Sequence, residues 1–427
     1  MRVLLISANT EQVNVPVFPL GLACVATAVK NAGHEVNLIS LMDEEDKNDY
    51  LEEGIKSFKP EAIGISVRNI DDQSRLNTKF LLESVKGVMD SCRSLSGAPV
   101  ILGGAGYSIF PQSALAFLGA DMGIQGEGEK AFPVLLERLE QKKDIDRIPG
   151  LNLLSKGIHH KPDFIKNLDA FPLPLPDAFP WIPAEAKENK NAWIPFQTRR
   201  GCAMDCSYCS TSTIEGRILR KHTPEHVVKM LGYYVEAGYQ RFQFVDNTFN
   251  LPPSYAEALC DKILESGLDI KWLCILYPSK MPGRLTEKMA QAGCRGVSIG
   301  FESGSDKMLR GFNKKFSLED IRGMTMALKD AGIRTMGFLL LGGPGETRET
   351  VEESLAFVDG LPLDSLKITT GIRIYPYTAL ARRAVEDGLI KPDDDLLYPK
   401  FYMVKGLESW LSDTVARAVK DRPHWME

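Results

Sequence analysis

Three cysteines crowd into eight positions in Arg200-Gly-Cys-Ala-Met-Asp-Cys-Ser-Tyr-Cys-Ser, placing Cys202, Cys206 and Cys209 at a C-x3-C-x2-C spacing. Thiolates are soft ligands, and three on one short loop can wrap one face of a small soft-metal centre. That there are three ligands and not four decides the chemistry. A four-iron cluster held by three cysteines leaves one iron open, much as a catalytic zinc keeps one position for substrate. The competing reading is a structural zinc ion completed by His222 or His226. The spacing, and a position directly behind a strand, favour the cluster. The remaining cysteines, Cys24, Cys92, Cys260, Cys274 and Cys294, are scattered and read as small core residues, with Cys274 near enough to a strand end to face a cavity.

A loop of this kind needs rigid elements to position it. From Trp193 onward, strand-like runs alternate with helical patterns: Trp193–Thr198, Arg241–Val245, Lys271–Ile275, Gly296–Phe301, Thr335–Leu341 and Ser365–Ile374. Six such units are too few for a closed eight-stranded barrel, so residues 193–390 are expected to form a partial (β/α)6 TIM-type barrel, open on one side. The cysteine loop follows its first strand. Residues 391–427 show no further repeat and read as a C-terminal extension.

Residues 1–140 alternate in the same way, with strands at Val3–Ser7, Glu35–Ile39, Ala62–Val67, Pro99–Leu102 and Met122–Gln125, and helices such as Gly21–Ala32 and Lys79–Ser91 between them. Short apolar runs separated by helices predict an α/β, doubly wound, Rossmann-like parallel sheet. Ligands of such sheets sit beyond the carboxyl ends of the strands, where Gly103, Gly104, Gly106, Gly126 and Gly128 fall. Between the two units, residues 141–192 hold Pro162, Pro172, Pro174, Pro176, Pro180 and Pro183 with Trp181 among them. Proline fixes the chain extended, so this is a linker, and its aromatic residues predict that it packs against a domain.

The 427 residues are 44% hydrophobic and 25% charged with a net charge of −5, enough for a normal core without disulfides. No long Lys/Arg run is present, which argues against nucleic acid or a membrane surface as the main partner. The start, MRVLLISANTEQ, lacks the pattern of a signal peptide, and no apolar run is long enough to span a membrane. A cytoplasmic location is expected.

The cysteine loop, with Tyr208 as the aromatic residue before its last cysteine, resembles the signature of the radical S-adenosylmethionine (SAM) superfamily, and the likeness extends over residues 193–380. The resemblance implies a 4Fe–4S cluster on Cys202, Cys206 and Cys209 and SAM on its open iron. It implies further SAM contacts from Tyr208 and from Asp246-Asn247 at the second strand end, where the family binds the amino group. Glu302-Ser303 at the fourth strand end would meet the ribose and carboxylate, with Lys314 or Lys315 pairing the carboxylate. Gly337 and Leu339 fall in the fifth-strand stretch expected near the adenine, and Tyr375 and Tyr377 in the sixth-strand end that holds it.

Residues 1–140 resemble the cobalamin-binding domain that precedes many radical SAM domains, through Phe18-Pro-Leu-Gly-Leu-Ala23, Gly33-His-Glu-Val36, Ile63-Gly-Ile-Ser66, Leu102-Gly-Gly-Ala105 and Gly126-Glu-Gly-Glu129. The implied cobalamin contacts are Pro19, Leu20 and Gly21; Ser66, Arg68 and Asn69; Gly103, Gly104, Ala105 and Gly106; and Gly126, Glu127 and Glu129. The D-x-H-x-x-G motif whose histidine ligates cobalt is absent, as it commonly is in cobalamin-dependent radical SAM enzymes, and His34, in a helix-to-strand turn, reads as structural. Methylthiotransferases share the layout but need three more cluster cysteines in the first domain, where only Cys24 and Cys92 occur.

Together the two likenesses imply a cobalamin-dependent radical SAM C-methyltransferase. One SAM would methylate the cobalamin; another would be cleaved to a 5′-deoxyadenosyl radical that activates an unactivated carbon, on a small molecule or a peptide or protein side chain. An external electron donor of flavodoxin or ferredoxin type is implied. Two other readings remain open: a radical SAM cyclase or rearrangement enzyme without methyl transfer, and a non-catalytic cobalamin- or metal-binding regulator.

Overall fold

The computed structural model describes residues 1–10, 18–42, 47–171, 173–176, 182, 184–189, 191–281 and 283–427. Pro172, Pro180, Pro183 and Trp181 of the linker lie outside them.

The first sheet is built from β1 (Arg2–Ser7), β2 (Glu35–Ser40), β3 (Ala62–Ser66), β4 (Val100–Gly103), β5 (Met122–Ile124), β6 (Leu151–Leu153) and β7 (Ile158–His159). Its order is β2-β1-β3-β4-β5-β6-β7. Pairing is parallel as far as β5 and antiparallel from β5 to β7. In β1 both faces are buried, so Val3 to Ile6 form an unbroken apolar run. Val3 and Leu5 pack with the helices Leu20–Asn31 and Gly128–Glu140. Leu4 and Ile6 pack on the other side with Val85, Met89 and Ala114. The sheet thus runs to His159, beyond the expected domain limit at residue 140, because buried Leu151 and Leu153 extend its hydrophobic layer. The linker therefore begins only after β7, and it does pack: Ile165, Leu168 and Leu173 are buried, and Phe164 lies 5.2 Å beneath the Arg220 guanidinium.

The second sheet contains β8 (Ile194–Phe196), β11 (Arg241–Phe244), β12 (Lys271–Leu276), β13 (Cys294–Glu302), β14 (Arg334–Leu341), β15 (Ser365–Thr370) and β18 (Trp425–Met426). Its order is β18-β15-β14-β13-β12-β11-β8, all parallel. Two short hairpins flank it: β9 (Arg199–Arg200) with β10 (Arg220–Lys221), and β16 (Ile372–Arg373) with β17 (Phe401–Tyr402). The expected six strands are all present. The extension adds a seventh, since helix Glu408–Lys420 leads into β18, which lies along β15. A two-residue strand leaves no periodic signal in the sequence. Along β14 the faces alternate: Thr335, Gly337, Leu339 and Leu341 are buried, whereas Met336, Phe338 and Leu340 are half-buried. Among the described residues no helix is long and apolar enough to cross a membrane.

Candidate active site

The cysteine loop leaves β9 and is pinned at both ends by backbone bonds, Cys202 N–H to the Gly216 carbonyl (3.1 Å) and Ser207 N–H to the Phe312 carbonyl (3.1 Å). Cys202, Cys206 and Cys209 are half-buried, whereas Cys24, Cys92, Cys260, Cys274 and Cys294 are fully buried. That difference separates ligands from packing, because a thiol must be reachable to bind metal; burial raises the thiol at Cys202 and Cys206 as well as at Cys24 and Cys92, the last two up to about 12. Cys274 is 3% exposed and packs in the core, so the expectation that it could face a cavity fails. Two buried, separate cysteines in the first domain also make no second cluster site. The three half-buried thiols on one loop fit a cluster with an open iron.

Beside this loop the structure gathers three of the residues expected around SAM. Tyr208 donates its hydroxyl to Glu302 Oε1 (2.8 Å), and Lys314 Nζ lies 3.2 Å from the same oxygen. Lys314 also spans the Gly300 carbonyl (3.4 Å), and its ammonium sits 5.4 Å from the Tyr208 ring centre. Burial disfavours the Lys314 ammonium, but Glu302 and Cys206 outweigh it and hold its pKa above the usual lysine value. Burial, reinforced by Glu302, raises the Tyr208 phenol well above its usual range. Glu302 ends β13 with φ +67°, a left-handed conformation costly for a non-glycine residue, at a register shift between Gly300 and Glu302. Such strain, held by two side-chain partners, aims a carboxylate that regular strand geometry would turn elsewhere.

Other expected contacts are spent on structure. Asp246 is completely buried: Oδ1 accepts from Thr198 N–H (2.7 Å) and Arg199 N–H (3.1 Å), and Oδ2 from the Thr198 hydroxyl (2.5 Å), with Arg199 Nε at 3.5 Å. Its oxygens are filled, so it locks the β8–β9 crossing and leaves no edge for a ligand. Asn247 donates to Glu215 (2.6 Å). Ser303 is buried against the Ser354 hydroxyl (2.9 Å) in a helix. Lys315, unlike its neighbour, reaches Asn313 (2.5 Å) at the surface. Gly337 and Leu339 face the helices, where a Cβ on Gly337 would meet Leu363 at 2.9 Å; the opposite face of β14 presents Phe338 and Leu340. Tyr375 stacks under Arg373 (5.2 Å), and Tyr377, at φ +64°, is 86% exposed at a cavity of about 600 Å³ shared with Phe110, Gln125 and His159.

Two residues near the loop carry no motif and escape a reading of the sequence. Tyr277, one residue past β12, accepts the Lys315 N–H at its hydroxyl (2.9 Å), and its phenol is raised by burial with contributions from Cys206 and Cys202. Glu215 accepts from Gly201 N–H (3.0 Å), Gln197 and Asn247, fixing the residue that precedes Cys202. Position at a strand end is a signal for Tyr277; nothing in the sequence marks Glu215.

On the first domain's rim the expected cobalamin residues divide. Gly104 (φ +99°) carries no side chain because a Cβ would strike the Val67 carbonyl at 2.5 Å, and at Gly106 the Arg68 carbonyl stands at 3.0 Å. These glycines, with Gly103 and Ala105, let two loops close on each other. Gly126 (φ +82°) abuts Pro162. Glu127 accepts from Ile165 N–H (2.6 Å) and Arg220 (2.6 Å), and Glu129 from Arg200 Nη2 (2.7 Å), so these acids join the domain to the linker and the barrel. Leu20 is buried in the core. Open surface remains at Gly21, where a Cβ would meet nothing, at exposed Arg68, and at half-buried Pro19, Ser66 and Asn69. This exposed stretch of the rim leaves room for a ligand. His34 Nδ1 sits 3.2 Å from the chain's amino terminus, in keeping with a structural role.

The chain matches the B12 binding domain over residues 6–136 and the radical SAM superfamily over residues 197–358. It is 26% identical over 98% of its length to an uncharacterised methyltransferase of Pyrococcus horikoshii, covering 91% of that protein. It is 25% identical to tryptophan 2-C-methyltransferase of Streptomyces laurentii, over 88% of this chain and 74% of that one. The radical SAM methyltransferase TsrM of Kitasatospora setae, solved with cobalamin and a [4Fe–4S] cluster, superposes with a TM-score of 0.88 at 22% identity, covering all of this chain and 92% of that one. The cofactors of this architecture are a 4Fe–4S cluster, SAM and cobalamin. With both domains in this order and methyltransferases along its whole length, the chain belongs to the cobalamin-dependent radical SAM methyltransferase family.

Proposed function

We propose that the protein is a C-methyltransferase that places a methyl group on an unactivated carbon of a small molecule or peptide. The observation that carries this reading is the Tyr208–Glu302–Lys314 constellation beside three accessible thiols, in a chain that begins with a B12-binding domain. The tryptophan methyltransferase, by its name, also methylates a carbon.

When bound, the cluster supplies an electron to the SAM sulfonium and cobalamin carries a methyl group. Cys202, Cys206 and Cys209 would hold the cluster from one loop, leaving a position open to SAM. Lys314, charged and half-neutralised by Glu302, pairs with the SAM carboxylate. Glu302, already aimed by Tyr208 and Lys314, accepts from the amino group or ribose hydroxyls. Phe338 and Leu340, on the half-buried face of β14, would border the adenine where Gly337 and Leu339 were expected. Pro19, Gly21, Arg68 and Asn69 border cobalamin. The protein's own work is to fix these partners and exclude water. Electrons come from an external flavodoxin- or ferredoxin-type donor.

Anaerobic protein supplied with cobalamin, a chemical reductant and SAM carrying a deuterated methyl group tests the reading without knowledge of the substrate. Label recovered in the cobalamin fraction supports it. If 5′-deoxyadenosine forms and no label enters cobalamin, the non-methylating radical SAM reading replaces it.

A further inference from the structure

The two histidines weighed against the cysteine loop are engaged elsewhere. His222 follows β10, anchored by its N–H to the Thr198 carbonyl (3.0 Å) and by its own carbonyl, which accepts from the Tyr255 hydroxyl (2.7 Å). His226 lies in the first turn of helix Pro224–Glu236. Asp169 comes from the linker, in the single turn Leu168–Ala170. His222 Nδ1 is 2.9 Å from Asp169 Oδ1 and His226 Nδ1 is 4.0 Å from the same oxygen. One donor atom from each of the three residues falls within 4.8 Å of the others. The two imidazoles stand parallel, centres 5.0 Å apart.

We propose that Asp169, His222 and His226 bind one zinc-class divalent ion that staples the linker to the barrel. Two imidazoles and a carboxylate are a borderline-soft donor set of the kind zinc takes. Zinc–ligand bonds of about 2.1 Å put tetrahedral donors roughly 3.4 Å apart. The observed 2.9 and 4.0 Å bracket that spacing, so small side-chain shifts seat the ion. Asp169 is already oriented, both oxygens accepting from Thr223 N–H at 3.2 Å, the kind of outer contact that fixes a ligating carboxylate. The three donor atoms gather within 4.8 Å of one another around His222, which is buried, so the cluster is shielded from bulk water on one side. The donors come from two stretches, the linker turn and the junction of β10 with the helix after it, and the strand paired with β10, β9, leads directly into Cys202. An ion here would brace the support of the cluster loop without touching the cluster.

The test is metal analysis of full-length protein reconstituted with iron, sulfide and cobalamin, then equilibrated with zinc against a chelator of known affinity. One zinc per chain with a full iron complement is expected, and thermal unfolding should shift upward with zinc concentration. His226→Ala and Asp169→Asn should lower zinc affinity at least about tenfold while iron stays unchanged. Should either variant fail to fold, the wild-type stoichiometry and zinc-dependent unfolding decide alone. Wild-type protein that takes up no zinc, variants that bind it as tightly, or zinc taken up only when the cluster cysteines lack iron would each overturn the proposal. None of these outcomes bears on methyl transfer, which is read from SAM label.

Discussion

The two rims proposed to border the cofactors are built on opposite plans. On the barrel side, residues far apart in sequence converge on one another: Tyr208, Glu302 and Lys314 share a single carboxylate oxygen beside half-buried thiols. On the first domain's side, residues of equal promise turn away from open space. Gly104 and Gly106 accommodate carbonyls of the neighbouring loop, and Glu127 and Glu129 are committed to Arg200 and Arg220. The barrel rim does its work with side chains, which a sequence names. The sheet rim uses backbone shape and a buried ionic joint, and there a glycine or glutamate reads the same whether it serves a ligand or a neighbour.

The largest expected effect falls on the barrel rim. Cys202→Ala, Cys206→Ala or Cys209→Ala should remove the cluster and with it reductive SAM cleavage, measured as iron and sulfide per chain and as 5′-deoxyadenosine. None of the three thiols belongs to the buried apolar clusters that hold the first sheet, so circular dichroism should show most secondary structure retained. A full iron complement in all three variants would break the assignment.

The joint comes next. Arg200, Arg220, Glu127 and Glu129 have side chains at most 9% exposed, and Arg200 directly precedes Gly201 and Cys202. Removing one partner strands a buried charge, at about 3–5 kcal/mol. Arg200→Ala should therefore lower the denaturant midpoint sharply and loosen the cluster loop, whereas Arg217→Ala, whose partner Asp205 is 65% exposed, should cost little, at most about 1 kcal/mol. Equal effects would mean that the joint is no more than surface pairing.

A finer contrast lies between adjacent lysines. Lys314→Met should weaken SAM binding by tenfold or more, about 1.4 kcal/mol, because its ammonium is buried beside Glu302; Lys315→Met, at the surface, should leave it nearly unchanged. Binding measured by equilibrium dialysis in cluster-loaded protein separates them.

Both sheets, their largely parallel character and the clustering of the three cysteines were legible, because a two-sided buried strand is an apolar run and a thiol triplet has few other uses. Lys314 could not be chosen over Lys315, since the choice depends on where one turn after the helix Asp306–Gly311 points its side chains. Asp246 looked like a ligand residue because strand-end carboxylates often are. Its role as acceptor of three hydrogen bonds depends on Thr198 and Arg199 arriving from a different part of the sheet. Glu215 was invisible for the same reason: it fixes Gly201 across a loop whose path only the fold determines.

The smallest expected change in stability gives the cleanest reading of the sheet rim. Gly104 is a poor probe for cobalamin, because its φ of +99° and a Cβ only 2.5 Å from the Val67 carbonyl would strain even an alanine there, by about 1–3 kcal/mol. Lost cobalamin in that variant would report a damaged loop as readily as a blocked site. Gly21 has neither defect: it lies in the first turn of helix Leu20–Asn31, and an added Cβ meets nothing within 4 Å. Leucine is a better helix former than glycine by somewhat under about 1 kcal/mol, so Gly21→Leu should leave folding intact or slightly firmer. Iron content should not move, since the cysteine loop belongs to the other domain. If cobalamin spreads over this edge, the leucine side chain occupies its space, and cobalamin per chain, read from the absorption spectrum of anaerobically loaded protein, should fall steeply along with label transfer from SAM. Wild-type cobalamin content in Gly21→Leu would move the corrin away from the Pro19–Gly21 turn and leave Arg68 and Asn69 as the edge to probe.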